Sequence, residues 1–512
     1  MKKYKLILTI FILIGVGMGC EDKLSLENPN KQTASSYWQN LPQVQAAVNA
    51  IYANLQTNGL YSRHMFFAMD NMAHENEGNS QLEADKRQYL EFKFDASHGG
   101  IGAFYESCFR GINKANYVIT NEDKIIEISD LVSDELRVKF LGEARFLRAF
   151  YYFLLVTRFG DVPLVTEVPT SGEGRPITSK EEIYTKIIIP DLEYAEENLL
   201  GKSEMQPGRA TSGAASALLG KVYLYRKNYE KAREALLKVV GNYKLVDDYE
   251  DNFFEETEHN DESIFEIQYN DDLPDADKWN SDVTGAGFNE VTFRGQEYGW
   301  KDWFNVYPSD MLLDEYETND PRFEANFYTE GDVLESTGQT IMTGAVPETV
   351  PDDQIYIPSG RRAGWRKYQN YYKDANEDQA SGINFRVIRY ADVLLMLAEI
   401  ENELSGDGVD AIGYLNQVRD RVGMPQYGST EMNPIYPVST KQERFDAIVH
   451  ERMVELAGEQ ARFPDLVRWG LAADVLSQFG FEAGKNEIFP LPQREINSND
   501  KVTNADQNPG YN

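Results

Sequence analysis

Aromatic rings interleaved with carboxylates, amides and cationic side chains are the residues of this chain best suited to chemistry. The chemistry they suit is recognition of sugars. The richest run is Trp279-Asn280-Ser281-Asp282, followed by Tyr298-Gly299-Trp300-Lys301-Asp302-Trp303, which holds three of the six tryptophans. A sugar presents flat C–H faces that stack on such rings, and hydroxyls that polar neighbours orient. Trp279, Tyr298, Trp300 and Trp303 are therefore the expected ring contacts. Packing in the core competes with this reading at each ring, most at Trp303, because Trp303-Phe304 leads directly into Tyr307-Pro308-Ser309.

Residues for bond-making chemistry do not assemble into motifs. His74-Glu75 and His450-Glu451 each begin a zinc-protease helix, but Gly78 and Val454 stand where the second histidine is needed. There is no Gly-x-Ser-x-Gly elbow, no phosphate-binding loop and no Cys-x-x-Cys. Asp374-x-Asn376-x-Asp378 opens like a calcium loop, then places Gln379 where the turn needs glycine and Phe385 where it needs glutamate. Asp271, Asp272, Asp275 and Asp277 could gather a cation, although a solvated acidic loop explains them more simply. Five histidines leave little for acid–base work near neutral pH, whereas 83 acidic residues leave a glycosidase-type carboxylate pair as an alternative. The expectation is a binding protein with no cofactor and no metal, not an enzyme.

The first residues and the charge bound where such a binder works. Lys2, Lys3 and Lys5 precede an apolar run from Leu6 to Val16, too short to span a bilayer of roughly 30 Å. Residues 1–19 read as a signal peptide. Gly17-Met18-Gly19-Cys20 resembles a lipobox, with Gly17 where leucine is preferred, so Cys20 is the expected lipidation site and membrane anchor; a plain secreted protein is the competing reading. The formal charge of -33 repels nucleic acid and anionic headgroups, and excludes nucleic-acid binding. With Cys20 acylated, the one other cysteine, Cys108, has no partner and reads as a buried thiol on a helix.

Helices must position these groups. After a polar tether over 20–35, apolar residues recur at helical spacing through Val44, Ala47, Val48, Ile51, Tyr52 and Leu55, through Phe104, Cys108, Ile112, Ala115 and Val118, and from Asp134 or Glu135 to Phe159. Gly160-Asp161-Val162-Pro163 ends the third. Within 214–240, Leu219-Gly220-Lys221-Val222-Tyr223 with Ala232 and Leu236 matches the core of a tetratricopeptide repeat, with Ser216 replacing the usual tryptophan. Gly220 and Ala232 would let two helices approach while Tyr223 and Leu236 fill the space between. Tyr390 to Leu404 and Val409 to Val422, joined by Gly406-Asp407-Gly408, read as another pair. The expected fold is mainly α, an α-solenoid-like framework of helical pairs, with 36–250 and 386–512 forming one body. Over 251–385 the helical period fades into a loop-rich stretch, the expected ligand face.

Several strings in this framework resemble the SusD/RagB family, in that family's order. They are Glu143-Ala144-Arg145-Phe146-Leu147-Arg148-Ala149 running into Phe159-Gly160-Asp161-Val162-Pro163-Leu164-Val165, then Pro207-Gly208-Arg209-Ala210-Thr211, then Arg389-Tyr390-Ala391-Asp392-Val393-Leu394-Leu395-Met396. Glu451-Arg452, Glu455-Leu456, Asp465-Leu466-Val467-Arg468-Trp469-Gly470, Pro490-Leu491-Pro492-Gln493-Arg494-Glu495-Ile496 and Gln507-Asn508-Pro509-Gly510-Tyr511 complete the set, so the resemblance runs from Cys20 to the last residue.

The resemblance implies four repeat-like helical pairs beneath an irregular binding face. It also implies a lipid-anchored lid on the outer membrane, facing the exterior, that passes glycan or, in some members, peptide to a SusC-like TonB-dependent transporter. Glu21 and Asp22 resemble the acidic export signal of such surface lipoproteins. Family members often bring ligand contacts from the connection between the first helices, which here offers Tyr61, Asp70, Asn71, Arg87 and Tyr89, although Asp70-Asn71 could instead cap a helix. Trp365 and Lys367-Tyr368 read as structural. Arg145 and Arg148 with Glu143, and Arg468 with Asp465, read as ion pairs tying helix to helix.

Overall fold

The computed structural model describes residues 37–128, 134–169, 172–271, 291–299, 303–372 and 381–511. Helix outweighs strand, 48% to 9%, so the chain is mainly α as its periodicity predicts. The principal helices are α1 (Leu41–Ala53), α2 (His64–Met72), α3 (Ala84–Leu90), α4 (Gly99–Ile119), α5 (Asp134–Phe159), α6 (Ile189–Asn198), α7 (Ser212–Tyr225), α8 (Tyr229–Leu237), α9 (Tyr390–Leu404), α10 (Val409–Arg421), α11 (Lys441–Glu455) and α12 (Arg462–Trp469). The helices pack as α1 with α4, α5 with α6, α7 with α8, and α9 with α10, while α4 also lies extensively against α5 and α6 against α7. Each pair touches the next, through α1 and α4 on α5, α6 on α7, and α8 on α9.

The α7–α8 pair shows why this sequence folds so. Thr211 and Asn228 cap the two helices by accepting the Ala214 and Lys231 amides. A Cβ on Gly220 would lie 2.4 Å from the Leu236 side chain and 3.3 Å from the Ala232 carbonyl oxygen, so glycine is what admits α8 at this distance. Between α9 and α10 the turn ends on Gly408 at φ +67, a left-handed conformation that side chains disfavour.

Buried charges hold the pairs to one another, with partners that differ from the local ones expected. Arg148 and Arg145 both reach Asp191 on α6, at 2.7 and 2.9 Å, not Glu143. Glu143 instead meets Arg209 at 2.7 Å and the Tyr52 hydroxyl at 2.8 Å, which joins α5 to the loop before α7 and to α1. Arg468 does meet Asp465, at 2.8 Å, and reaches across to Glu399 of α9 at 2.5 Å.

The described residues within 251–389 hold short strands and brief helices. In chain order the strands used below are β1 (Asn76–Gly78), β2 (Ser263–Ile267), β3 (Val306–Pro308), β4 (Thr340–Gly344), β5 (Gln354–Pro358) and β6 (Phe385–Arg389). Strand β2 pairs with β6, returning the chain to α9, while β4 pairs with β5. The main apolar core runs from Trp38 to Val502, and a second cluster around Trp365, Tyr298, Phe66 and Phe67 supports the region of β1 and β3. Cys108 is fully buried, and that burial pushes its thiol far above the usual range. No described helix is long and apolar enough to cross a membrane.

Candidate functional site

Two stretches that the sequence offers as separate contacts are joined by one short ladder. Strands β1 and β3 pair antiparallel, with Asn76 opposite Pro308, Glu77 opposite Tyr307 and Gly78 opposite Val306. This sets the turn after β1 beside Trp303. The Asn79 amide donates to the carbonyl oxygens of Phe304 at 2.7 Å and Trp303 at 3.3 Å, and the Asn79 N–H donates to Asn305 O at 2.9 Å. Gln81 N–H closes the turn on Asn79 Oδ1 at 2.7 Å.

The ring held here is open to solvent. Trp303 is 39% exposed, whereas Trp38 and Trp365 are buried at 7% and 0%. The Arg63 guanidinium lies 6.0 Å from the Trp303 ring centroid and is fixed by Glu297 at 2.5 Å and Glu83 at 3.1 Å. Burial pushes the Glu297 carboxyl up, against the pull of Arg63 and Asn305. Partial burial also opposes ionisation of Glu83, but Lys86 and Arg63 overrule it and hold that carboxyl below its usual range. The result is an exposed indole beside a pinned guanidinium, with Ser80, Gln81 and Glu83 exposed along the turn. Such a surface can stack a sugar face and bond its hydroxyls.

The other expected contacts fall differently. Tyr298 belongs to the core at 0% exposure, with its hydroxyl donating to Asp70 at 3.0 Å and its ring 5.9 Å from Trp365. Asp70 and Asn71 lie inside α2, fully buried, so neither is a surface contact nor a cap. Asp70 accepts from Gln460 N–H and stands 3.6 Å from Arg294; burial, partly offset by Arg294, raises it to about 6. Asn71 accepts from Asn76 and donates to Lys86 O. Tyr61 and Tyr89 are core rings at 4% and 1% exposure. These five are corrections: a loop position next to polar residues does not keep a ring or a carboxylate out of a core. Arg87 stays half-buried and braces the turn from behind, donating to Asn79 O at 2.7 Å. Trp279 and Trp300 lie outside the described residues, as do Cys20, Asp272, Asp275, Asp277, Asp374, Asn376 and Asp378. Arg63, Asn79 and Glu83 were missed; the Gly78-Asn79 turn signal was their one trace in the sequence.

The half-motifs for zinc are occupied otherwise. His74 hydrogen-bonds Leu90 O at 2.7 Å and stacks on Phe479 with centroids 3.5 Å apart, and burial lowers it to about 4. His450 sits between Glu315 at 2.7 Å and Glu317 at 3.2 Å. Among the described residues no group of three or more His, Cys, Asp or Glu side chains could hold a metal ion.

Comparison with known proteins agrees with this architecture. Residues 261–483 match the model of the SusD family, and residues 24–224 match a family described as starch-binding associating with outer membrane. The chain is 30% identical to SusD-like protein P2 of Formosa agariphila, over all of both chains. It is 23% identical to the starch-binding protein SusD of Bacteroides thetaiotaomicron, covering 78% of this chain and 77% of that one. A solved laminarin-binding SusD-like protein superposes with a TM-score of 0.73 at 28% identity, covering 92% of this chain and 100% of its own.

Proposed function

Because the chain belongs to the SusD/RagB family, we propose that it captures glycan at the cell surface and passes it to a SusC-like TonB-dependent transporter, held to the outer membrane by lipid on Cys20. The observation that carries the glycan reading is Trp303, an exposed tryptophan among the described residues, its backbone held by Asn79 and its ring beside Arg63. Relatives named as starch-binding and laminarin-binding support the ligand class. Binding, not hydrolysis, is the proposed activity.

Affinity electrophoresis of the mature chain through gels containing starch, laminarin or other neutral glycans should show retardation in at least one, with no new reducing ends on prolonged incubation. Retention by none of them, together with binding to a peptide library, would move the protein to the peptide-binding members of the family. New reducing ends would establish the hydrolase alternative.

The anchor has its own test. Cys20→Ala should release a folded protein into the soluble fraction, because acyl chains are the proposed attachment and Cys108, buried in the core, does not depend on Cys20. A variant that stays in the membrane pellet after high-salt washing would refute lipidation as the main attachment.

A further inference from the structure

Most inward-facing arginines of this protein are neutralised. Arg148, Arg322, Arg389, Arg419, Arg452 and Arg468 each have a carboxylate oxygen within 2.7 Å. Arg158, near the end of α5, is different. Its Nη1 donates to Thr157 Oγ1 at 2.9 Å, its Nε is buried without a hydrogen-bond partner, and its guanidinium lies 5.7 Å from the Phe104 centroid. The groups that feel its charge among the described residues are Tyr61, Tyr225 and Cys108, none of them a carboxylate. Burial accordingly pulls the guanidinium below its usual range. A half-buried cation whose Nε is sealed from water and which has no counter-charge costs stability, and the fold keeps it.

What Arg158 faces gives a reason. With Thr157, Tyr225 and Pro464 it lines both a cavity of about 70 Å³ toward Tyr61 and Phe150 and a larger cleft of about 430 Å³. The larger one opens among the ends of α5 and α7, helix α12 and the 487–489 segment, with Met69, Met72, Phe463, Val467 and Phe489 as apolar wall. Its size falls in the range of small-molecule sites, roughly 300–1,000 Å³. The charged lining residues are Arg158, Lys180, Arg226 and Arg468 against Glu181 and Glu487, a basic surplus in a chain of net charge -33. Arg226 is taken by Glu181, and Arg468 by Glu399 and Asp465, which leaves Arg158 and Lys180, two cations against the single carboxylate of Glu487, to face an incoming anion.

We propose that this cleft is a second ligand site, distinct from the Trp303 face, for a compact carboxylate: the acid group pairs with Arg158 and a six-membered ring lies against the apolar wall. A planar guanidinium and a carboxylate match in a bidentate hydrogen bond, stronger where water is excluded. The acid can be a sugar acid or a simple aromatic acid, since both carry a carboxylate on a ring of this size.

Calorimetric titration of the mature chain with glucuronate against glucose, and with benzoate against benzyl alcohol, tests the site and separates the sources. At least one acid should bind where its neutral counterpart does not, and whichever binds names the source. Arg158→Gln should weaken that binding by about tenfold or more, because a charge-assisted pair is lost. Val467→Trp, which fills the cleft and leaves the guanidinium in place, should do the same, and neutral glycan bound at the Trp303 face should not compete. If Arg158→Gln fails to fold, Val467→Trp decides alone. Acids that bind no better than their neutral counterparts, or binding that survives the filled cleft, would overturn the proposal.

Discussion

Glu455→Gln is expected to cut the free energy of unfolding by about 3–5 kcal/mol, because it removes the central anion of a buried network and leaves its cations behind. Glu455 Oε1 accepts from Arg421 at 2.5 Å and Arg389 at 2.6 Å, and Oε2 accepts from Arg322 at 3.0 Å. Those arginines reach on to Glu262, Glu459, Glu451 and Asp320. The network therefore bolts the loop-rich stretch, through Arg322 and Glu262, to helices α10 and α11. An exposed pair gives the scale of an ordinary surface contact: removing Lys93, 2.9 Å from Glu91, should change stability by no more than about 1 kcal/mol. Urea titration of both variants checks the contrast, and a Glu455→Gln loss as small as that of Lys93→Ala would mean that the network carries no more than a surface pair.

The same network sets the acid limit. Burial works against ionisation of Glu455, but Arg421, Arg389 and Arg322 overrule it and hold the carboxyl far below its usual range. At Glu317, burial is likewise overruled, by His450 and Arg419, which bring it down to about 2 from 4.5. A carboxyl depressed in the folded state contributes its full stability above the unfolded value and loses it as pH falls through the folded one. Asp70 has the opposite sign: raised to about 6 from 3.8, it favours folding as pH drops through that interval. The contribution of the two depressed carboxyls should thus be intact above about pH 4.5 and lost below it, a fall that melting temperatures across pH would report and that Glu455→Gln should blunt.

Helices were legible in the sequence because their signal is local. The spacing of apolar residues over Tyr390–Leu404 and from Val409 matches α9 and α10 to within a residue at the far end, and the glycine at 220 marks a close approach that the structure contains. Partners in the charged network were not legible. Arg148 finds Asp191 and Glu143 finds Arg209, across 43 and 66 residues, and helical spacing says nothing about pairings that tertiary packing creates.

The binding face shows the same limit. Trp303 and the turn at Asn79 meet through a ladder whose strands are over 200 residues apart and only three residues long, without the alternation that announces a strand. Nor does sequence separate a ring on a surface from a ring under it. Tyr298 and Trp303 share one aromatic-rich run, yet five positions apart one is core and the other is 39% exposed.

Two tryptophans make that difference measurable, and they should fail in opposite ways. Trp365 is fully buried, donates from Nε1 to Asn76 Oδ1 at 2.8 Å, and packs against Phe327 and Tyr298 beneath β1. Trp365→Ala opens a cavity and strands the Asn76 acceptor, at an expected cost of about 3–5 kcal/mol. Trp303 is tied down through its backbone, whose N–H donates to Gln296 O at 3.2 Å and whose carbonyl accepts from Asn79. Trp303→Ala keeps those bonds and removes a ring already 39% in water, so stability should change by less than about 1 kcal/mol. Affinity for the glycan retained in gels should nonetheless fall about tenfold or more, since a stacking anchor contributes about 1.4 kcal/mol or above. Thermal unfolding and calorimetric titration of the two variants read both quantities. If Trp303→Ala binds glycan as wild type does, the Trp303 face is not the glycan site, whatever Trp365→Ala does to the fold.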